Sequence, residues 1–205
     1  MVKEKKRLPV GLENFEQIIN DNYYYVDKTG LISELLRNGG MVNLFTRPRR
    51  FGKTLNMSMI EHFFSIERDQ SIFEGLEISK DTKLCEEYMG KYPVISISLK
   101  GINAATYKDA FDFAVQIMKE VAATMQFLLE SKQLSEYDKS EYQKLLDDNM
   151  SEAVFCSSLK KLSILLEKHY GTKVVLLIDE YDVPLAKAFE NGYYDQMIFL
   201  IRSLL

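Results

Sequence analysis

The sequence predicts an α/β protein built on a parallel sheet with helices on both faces, and three observations carry that prediction. Residues 93–99 (PVISISL) and 173–179 (KVVLLID) are β-branched or aliphatic runs of strand length. The chain between them has the apolar spacing of amphipathic helices. The two densest polar clusters, one basic and one acidic, each follow an apolar run directly, where open α/β sheets bind their ligands. Strands alternating with helices imply right-handed crossovers and therefore a parallel sheet.

Residues 1–40 read as an N-terminal extension and 41–205 as the core. The extension begins with a basic tip and a turn at Pro9 and Gly11, then a short helix over 13–20 and a short strand over 23–26. Asp27 is placed to cap a helix over about 29–37, where Leu31, Ile32, Leu35 and Leu36 share a face and Gly39 and Gly40 end it. Residues 41–46 (MVNLFT) read as a strand, followed by a loop of Arg and Pro and, from Lys53, an amphipathic helix. In 93–99 the proline stands first, where its missing N–H does least harm. Thr106 with Asp109 marks a helix start, and Phe111, Ala114, Val115, Met118, Val121 and Ala122 carry that helix to about Glu130. Ser135 with Asp138 opens another, and Ser151 caps a third that runs to His169 and closes at Gly171. The unbroken aliphatic run at 173–179 reads as a strand buried on both faces.

Composition bounds the function. At 205 residues the chain fits one domain with a small extension, and 46% hydrophobic with 27% charged residues excludes disorder as its main state. A net charge of −4 excludes a bulk surface that wraps nucleic acid. Yet residues 41–60 hold four basic side chains, Arg47, Arg49, Arg50 and Lys53, and no acid, leaving 22 basic against 30 acidic residues elsewhere. Cys85 and Cys156 have no metal-ligand or CxxC spacing and read as buried free thiols. The charged N-terminus leads into no signal-like apolar segment, and no 18 apolar residues run together, so a cytoplasmic protein without a membrane partner is expected.

The stretch Arg47-Pro48-Arg49-Arg50-Phe51-Gly52-Lys53-Thr54 matches the phosphate-cradling pattern G-x-x-x-x-G-K-[ST] except at its first position, where Arg47 stands for glycine. Backbone N–H groups leading into a helix N-terminus suit a phosphate. Gly52 would admit the phosphates, Lys53 would reach the β and γ oxygens, and Thr54 would ligate Mg²⁺. A bare G-K-[ST] arises by chance in roughly one chain of this length in ten. The second element is therefore what decides: Asp179 would hold Mg²⁺ through water, and Glu180 would polarise the attacking water.

Blander readings stand beside these. Lys53 and Thr54 also fit an ordinary helix start, and Asp179 with Glu180 an ordinary turn. Arg47, Arg49 and Arg50 fit a solvated loop, a triphosphate contact or a nucleic-acid patch. Tyr181 and Asp182 read as structural or metal-adjacent, His62 as a helix-surface residue, and His169 as a residue at a helix C-terminus, favoured there by the dipole. The tyrosines at 23–25 and Phe63 with Phe64 read as packing rather than base-stacking platforms.

LPVGLENFEQI, YYYVDKTGLI, NLFTRPRRFGKTLNMSM, FEGLEI, YPVISISL and VVLLIDEYDVPL together resemble the bacterial and archaeal AAA-ATPase-like family. The family's RPRRFGK[ST] and DEYD-x-P segments fall on 47–54 and 179–184, so Arg47 is kept rather than damaged. The resemblance implies a P-loop NTPase core using ATP and Mg²⁺. Its nucleotide-binding residues would be Arg49, Arg50, Phe51, Gly52, Lys53, Thr54 and Leu55, its metal-binding residues Thr54 and Asp179, and its catalytic residues Lys53 and Glu180. The YVDKT segment falls on 25–29, with Asp27 and Lys28 expected near the nucleotide. In the fold the resemblance implies, a sensor strand lies between the P-loop strand and the Asp179 strand and a PD-(D/E)XK nuclease-like domain often follows. Neither is expected within 1–205, so the core is read as C-terminally truncated and incomplete, the alternatives being that the two strands pair directly or that a partner supplies the strand; homo-oligomers are common among AAA-type relatives.

The expected function is an Mg²⁺-dependent ATP-binding and ATP-hydrolysing module. The rivals are a nucleotide-binding interaction module without turnover, a nucleic-acid-associated defence or mobile-element component, and a P-loop kinase.

Overall fold

Apolar surface in this chain is collected by helices far more than by strands. The computed structural model describes residues 6–46 and 51–204. It is α/β, with many short helices and one two-stranded parallel sheet, an arrangement compatible with an incomplete core of the expected kind. The chain divides into two compact units, Met1–Val94 and Ile95–Leu205.

In the first unit, α1 (Phe15–Asn20) starts at Asn14, whose side chain accepts from the Gln17 N–H. Helix α2 (Gly30–Asn38) ends at Gly39 in the left-handed conformation, φ 53°. Helix α3 (Lys53–Phe64) starts at Gly52, also left-handed, and buries Met59, Ile60, His62, Phe63 and Phe64 in its second half. Two 3₁₀ turns, Gln70–Phe73 and Glu77–Lys80, lead to α4 (Thr82–Tyr88), capped by Asp81. The core is aromatic: Phe73 lies 5.2 Å from Phe15 and 5.6 Å from Phe63, ring centre to ring centre. Phe63 and Phe64, expected as packing residues, are indeed buried.

The second unit takes up β1 (Val94–Ser98), in which Ile95 and Ile97 are buried and their neighbours are not, the period-2 pattern of a half-covered strand. Helix α5 (Tyr107–Ala123) is capped by Thr106 and gives way to a 3₁₀ turn, Gln126–Glu130, so the single helix expected to Glu130 is two elements. Helix α6 (Glu136–Gln143) opens with the expected capping box of Ser135 and Asp138. The helix expected from Ser151 to His169 is broken at Ser157 into α7 (Glu152–Cys156) and α8 (Ser158–Tyr170), the latter closed by Gly171. Strand β2 (Val175–Asp179) pairs with β1, and α9 (Asp182–Asn191) and α10 (Tyr194–Leu204) follow. Ile95, Ile97, Leu99, Phe155, Leu162, Leu166 and Leu200 share one buried core.

Two strand expectations fail. Residues 23–26 form no strand: the Tyr24 N–H bonds to the Arg7 carbonyl at 2.8 Å, and the Tyr25 hydroxyl turns inward to Met59 Sδ at 3.4 Å. Residues 41–46 form none either, and Met41, Val42 and Leu44 are exposed at 103, 90 and 68%. An apolar run becomes a strand only where a neighbouring strand takes its backbone groups, and no described residue does so here. Strand β2 also departs from the expectation of burial on both faces: Leu176 is exposed, and only Asp179 is buried. The two cysteines are free, as expected, but half-buried.

Candidate functional site

The basic cluster leads into the start of α3. Gly52 has φ 74° and ψ 28°, a conformation that costs an L-residue about 1–2 kcal/mol and glycine nothing. Its carbonyl accepts the first helical bond, from the Asn56 N–H at 2.9 Å, so the amides of Lys53, Thr54 and Leu55 belong to the first turn. Phe51 is exposed, and Gly52, Lys53, Thr54 and Leu55 are half-buried. Arg47, Arg49 and Arg50 lie outside the described residues.

Beside this turn stands Asp27-Lys28-Thr29-Gly30. One oxygen of Asp27 accepts from the Thr29 N–H at 2.9 Å and the Thr29 hydroxyl at 2.7 Å, and the other accepts from the Glu77 N–H at 2.7 Å. Thr29, fully buried, accepts in turn from the Ile78 N–H at 3.0 Å. Asp27 therefore staples two segments together rather than capping α2 in the expected way. Partial desolvation pushes its carboxyl up, but hydrogen bonds from Thr29 and the Glu77 N–H, with the Lys80 charge nearby, outweigh that and hold it below the ordinary value. Burial pushes the neighbouring Tyr25 phenol up to about 12. Lys28 is exposed, and its Nζ lies 3.9 Å from where a Cβ on Gly52 would stand.

The acidic cluster closes β2. Asp179 is 8% exposed at the strand's last position, and one carboxylate oxygen accepts the Glu180 N–H at 2.9 Å. Glu180 takes φ 54°, left-handed for a residue with a full side chain, at a cost of about 1–2 kcal/mol. Its carbonyl accepts from the Val183 N–H at 3.1 Å, forming the turn into α9. Pro184, buried in the first turn of α9, needs no N–H there, and Asp182 favours the same helix end. These features give Asp182 and Pro184 structural work, and Tyr181 packs against the core of the second unit.

Hydroxyl and carboxylate oxygens such as those of Thr54 and Asp179 are the hard donors Mg²⁺ prefers, and a magnesium ion keeps most of its shell for phosphate and water. Thr54 stands in the first turn of α3 and Asp179 at the end of β2, so each presents the donor type the ion would need. Residues 51–55 belong to the first unit and 179–184 to the second.

The histidines do other work. His62 is buried rather than on a helix surface, with Nδ1 2.7 Å from the Ser58 carbonyl and Nε2 3.3 Å from Glu16. His169, in the last turn of α8 as expected, lies 2.8 Å from the Ser131 hydroxyl and packs on Phe127.

Over residues 9–205 the sequence matches the AAA-ATPase-like family, described as predicted AAA-ATPase. The chain belongs to that family. This AAA-ATPase-like chain is also 29% identical over 188 residues to an uncharacterized protein in the vnfD 5′ region of Azotobacter chroococcum mcd 1. That alignment covers 88% of the chain and 30% of the relative, so the chain spans about a third of the relative's length. No solved structure matches. Among the described residues no helix is long and apolar enough to cross a membrane.

Proposed function

We propose that this AAA-ATPase-like chain is an ATP-binding and ATP-hydrolysing module whose phosphate cradle is the turn into α3. The observation that carries the reading is Gly52: it takes a left-handed conformation directly before Lys53 and Thr54, at the N-terminus of a 12-residue helix, where the helix dipole favours an anion. Family membership supports nucleotide binding in general. The proposed core is 41–205, with 1–40 as an extension to it, and its sheet is read as part of a P-loop fold.

In this reading the amides of 53–55 hold phosphate oxygens, and the Lys53 ammonium neutralises the β and γ oxygens, joined by Arg49 and Arg50. Mg²⁺, when bound with the triphosphate, supplies charge neutralisation on the same oxygens, and Thr54 and Asp179 would hold it. Glu180 orients a water and accepts its proton as the water oxygen bonds to the γ-phosphorus. The bond from that phosphorus to the β–γ bridging oxygen breaks, and ADP leaves. The left-handed turn at Glu180 supports this role, because strain at a charged residue persists where the side chain is needed.

Calorimetric titration of Mg·ATP, paired with multiple-turnover phosphate release, tests the proposal. The expected dissociation constant is about 1–100 μM, with binding lost in Lys53→Ala and phosphate released over many turnovers by the parent. A folded parent that binds no Mg·ATP refutes the site. Binding without turnover leaves an interaction module in its place.

A further inference from the structure

Three of the four residues in Asp27-Lys28-Thr29-Gly30 are fully employed in holding the first unit together. Asp27 takes three hydrogen bonds, and Thr29 is buried and bonded to both Asp27 and the Ile78 N–H. Gly30 lies under the Glu77 carboxylate, which a Cβ would meet at 3.0 Å. Lys28 is the exception. Its backbone N–H lies 3.4 Å from the Tyr25 hydroxyl, itself bonded to Met59 of α3, so the main chain is fixed on both sides of it. Its side chain is exposed, and among the described residues no carboxylate pairs with it. Left unconstrained, a solvated ammonium roams on its four-carbon stem. This one stands 3.9 Å from the Cβ position of Gly52, beside the start of α3.

We infer that Lys28 is a further phosphate-binding cation of the nucleotide site, delivered from outside the 47–54 loop by the Asp27–Thr29 staple. The inference rests on the nucleotide reading of Gly52, Lys53 and Thr54. With Lys28 Nζ 3.9 Å from the Gly52 Cβ position, a phosphate held at the start of α3 would come near the ammonium, and a charge-assisted bond to a phosphate oxygen is about twice as strong as a neutral one. The staple supplies preorganisation: the backbone bearing Lys28 is already fixed before the nucleotide arrives, so less freedom is lost on binding. Lys28 thereby complements Lys53 from the opposite side of Gly52 in sequence, 24 positions before that glycine.

The test compares the parent, Lys28→Met, Lys28→Arg and Lys53→Ala by titration with Mg·ATP and Mg·ADP, alongside thermal melting without nucleotide. The expected result is Lys28→Met melting with the parent but binding both nucleotides about tenfold or more weakly, and Lys28→Arg, which keeps the charge, binding within about threefold of the parent. Lys28→Met binding like the parent while Lys53→Ala loses affinity overturns the Lys28 assignment and leaves the nucleotide site standing. A Lys28→Met protein whose affinity falls only in proportion to a lowered melting temperature overturns it in favour of a packing role. A parent that binds neither nucleotide overturns the site and Lys28 with it.

Discussion

Gly52 and Glu180 take the same left-handed backbone, at φ 74° and 54°, and each stands just before a helix, yet one has no side chain and the other a charged one. At Gly52 the conformation costs nothing, and what is offered to a ligand is main chain: the amides of 53–55. At Glu180 the conformation costs about 1–2 kcal/mol, and what is offered is a carboxylate. A glycine at that position would fold more easily. The two turns thus share one backbone conformation, with main-chain amides following it in one and a carboxylate borne on it in the other.

The largest effect expected from breaking this comparison is on turnover. Glu180→Gln should keep Mg·ATP affinity within about threefold and reduce phosphate release by about 10²–10⁴-fold, the range for loss of a general base. Equal turnover in parent and variant would reduce Glu180 to a strained turn residue. On the Gly52 side the supporting staple is next: Thr29→Val leaves the Ile78 N–H buried without its acceptor and should lower unfolding stability by about 1–3 kcal/mol in urea titration.

A smaller pair sharpens the contrast directly. Gly52→Ala should destabilise by about 1–2 kcal/mol, because a Cβ meets a hostile φ, whereas Glu180→Gly should stabilise by about 1 kcal/mol while abolishing turnover. Opposite signs in the two melting shifts confirm that the strain is real at Glu180 and relieved at Gly52. The least effect is on pH dependence. The Asp27 carboxyl titrates below its ordinary value of 3.8 in the folded chain, so its contribution is fully present above that value and is lost as pH falls through the lowered one. Asp27→Asn should therefore be less stable than the parent at pH 7, with the gap closing as pH falls below 3.8 and through the lowered value, by about as much as that carboxyl contributes. A gap that stays constant with pH would mean the staple works by shape alone.

Much of this architecture is written locally. Thr106, Ser135 and Ser151 cap helices where their side chains dictate, and Gly39 and Gly171 end them, because a cap is a contact over three or four residues. The strands at 94–98 and 175–179 were equally legible from β-branched and aliphatic content. The run at 41–46 is no less apolar than many strands, but it lies exposed, since strand formation needs a second backbone that no local pattern supplies. Within the candidate site, Gly52, Lys53, Thr54, Asp179 and Glu180 could be named from motif spacing. The strain at Glu180 and the Asp27–Glu77 bond could not: the first depends on how β2 turns into α9, the second joins residues 50 positions apart.

The sequence by itself determined the helix caps at Thr106, Ser135 and Ser151, the two paired strands, the glycine before Lys53 and the acids at the end of β2, all consequences of interactions within a few residues. Only the tertiary structure decided which apolar run would find a strand partner, that Asp27 and Thr29 would hold the 77–78 backbone, and that Lys28 would stand beside Gly52. Those outcomes depend on groups far apart in the chain being brought within hydrogen-bonding distance, and spacing along a sequence carries no measure of that distance.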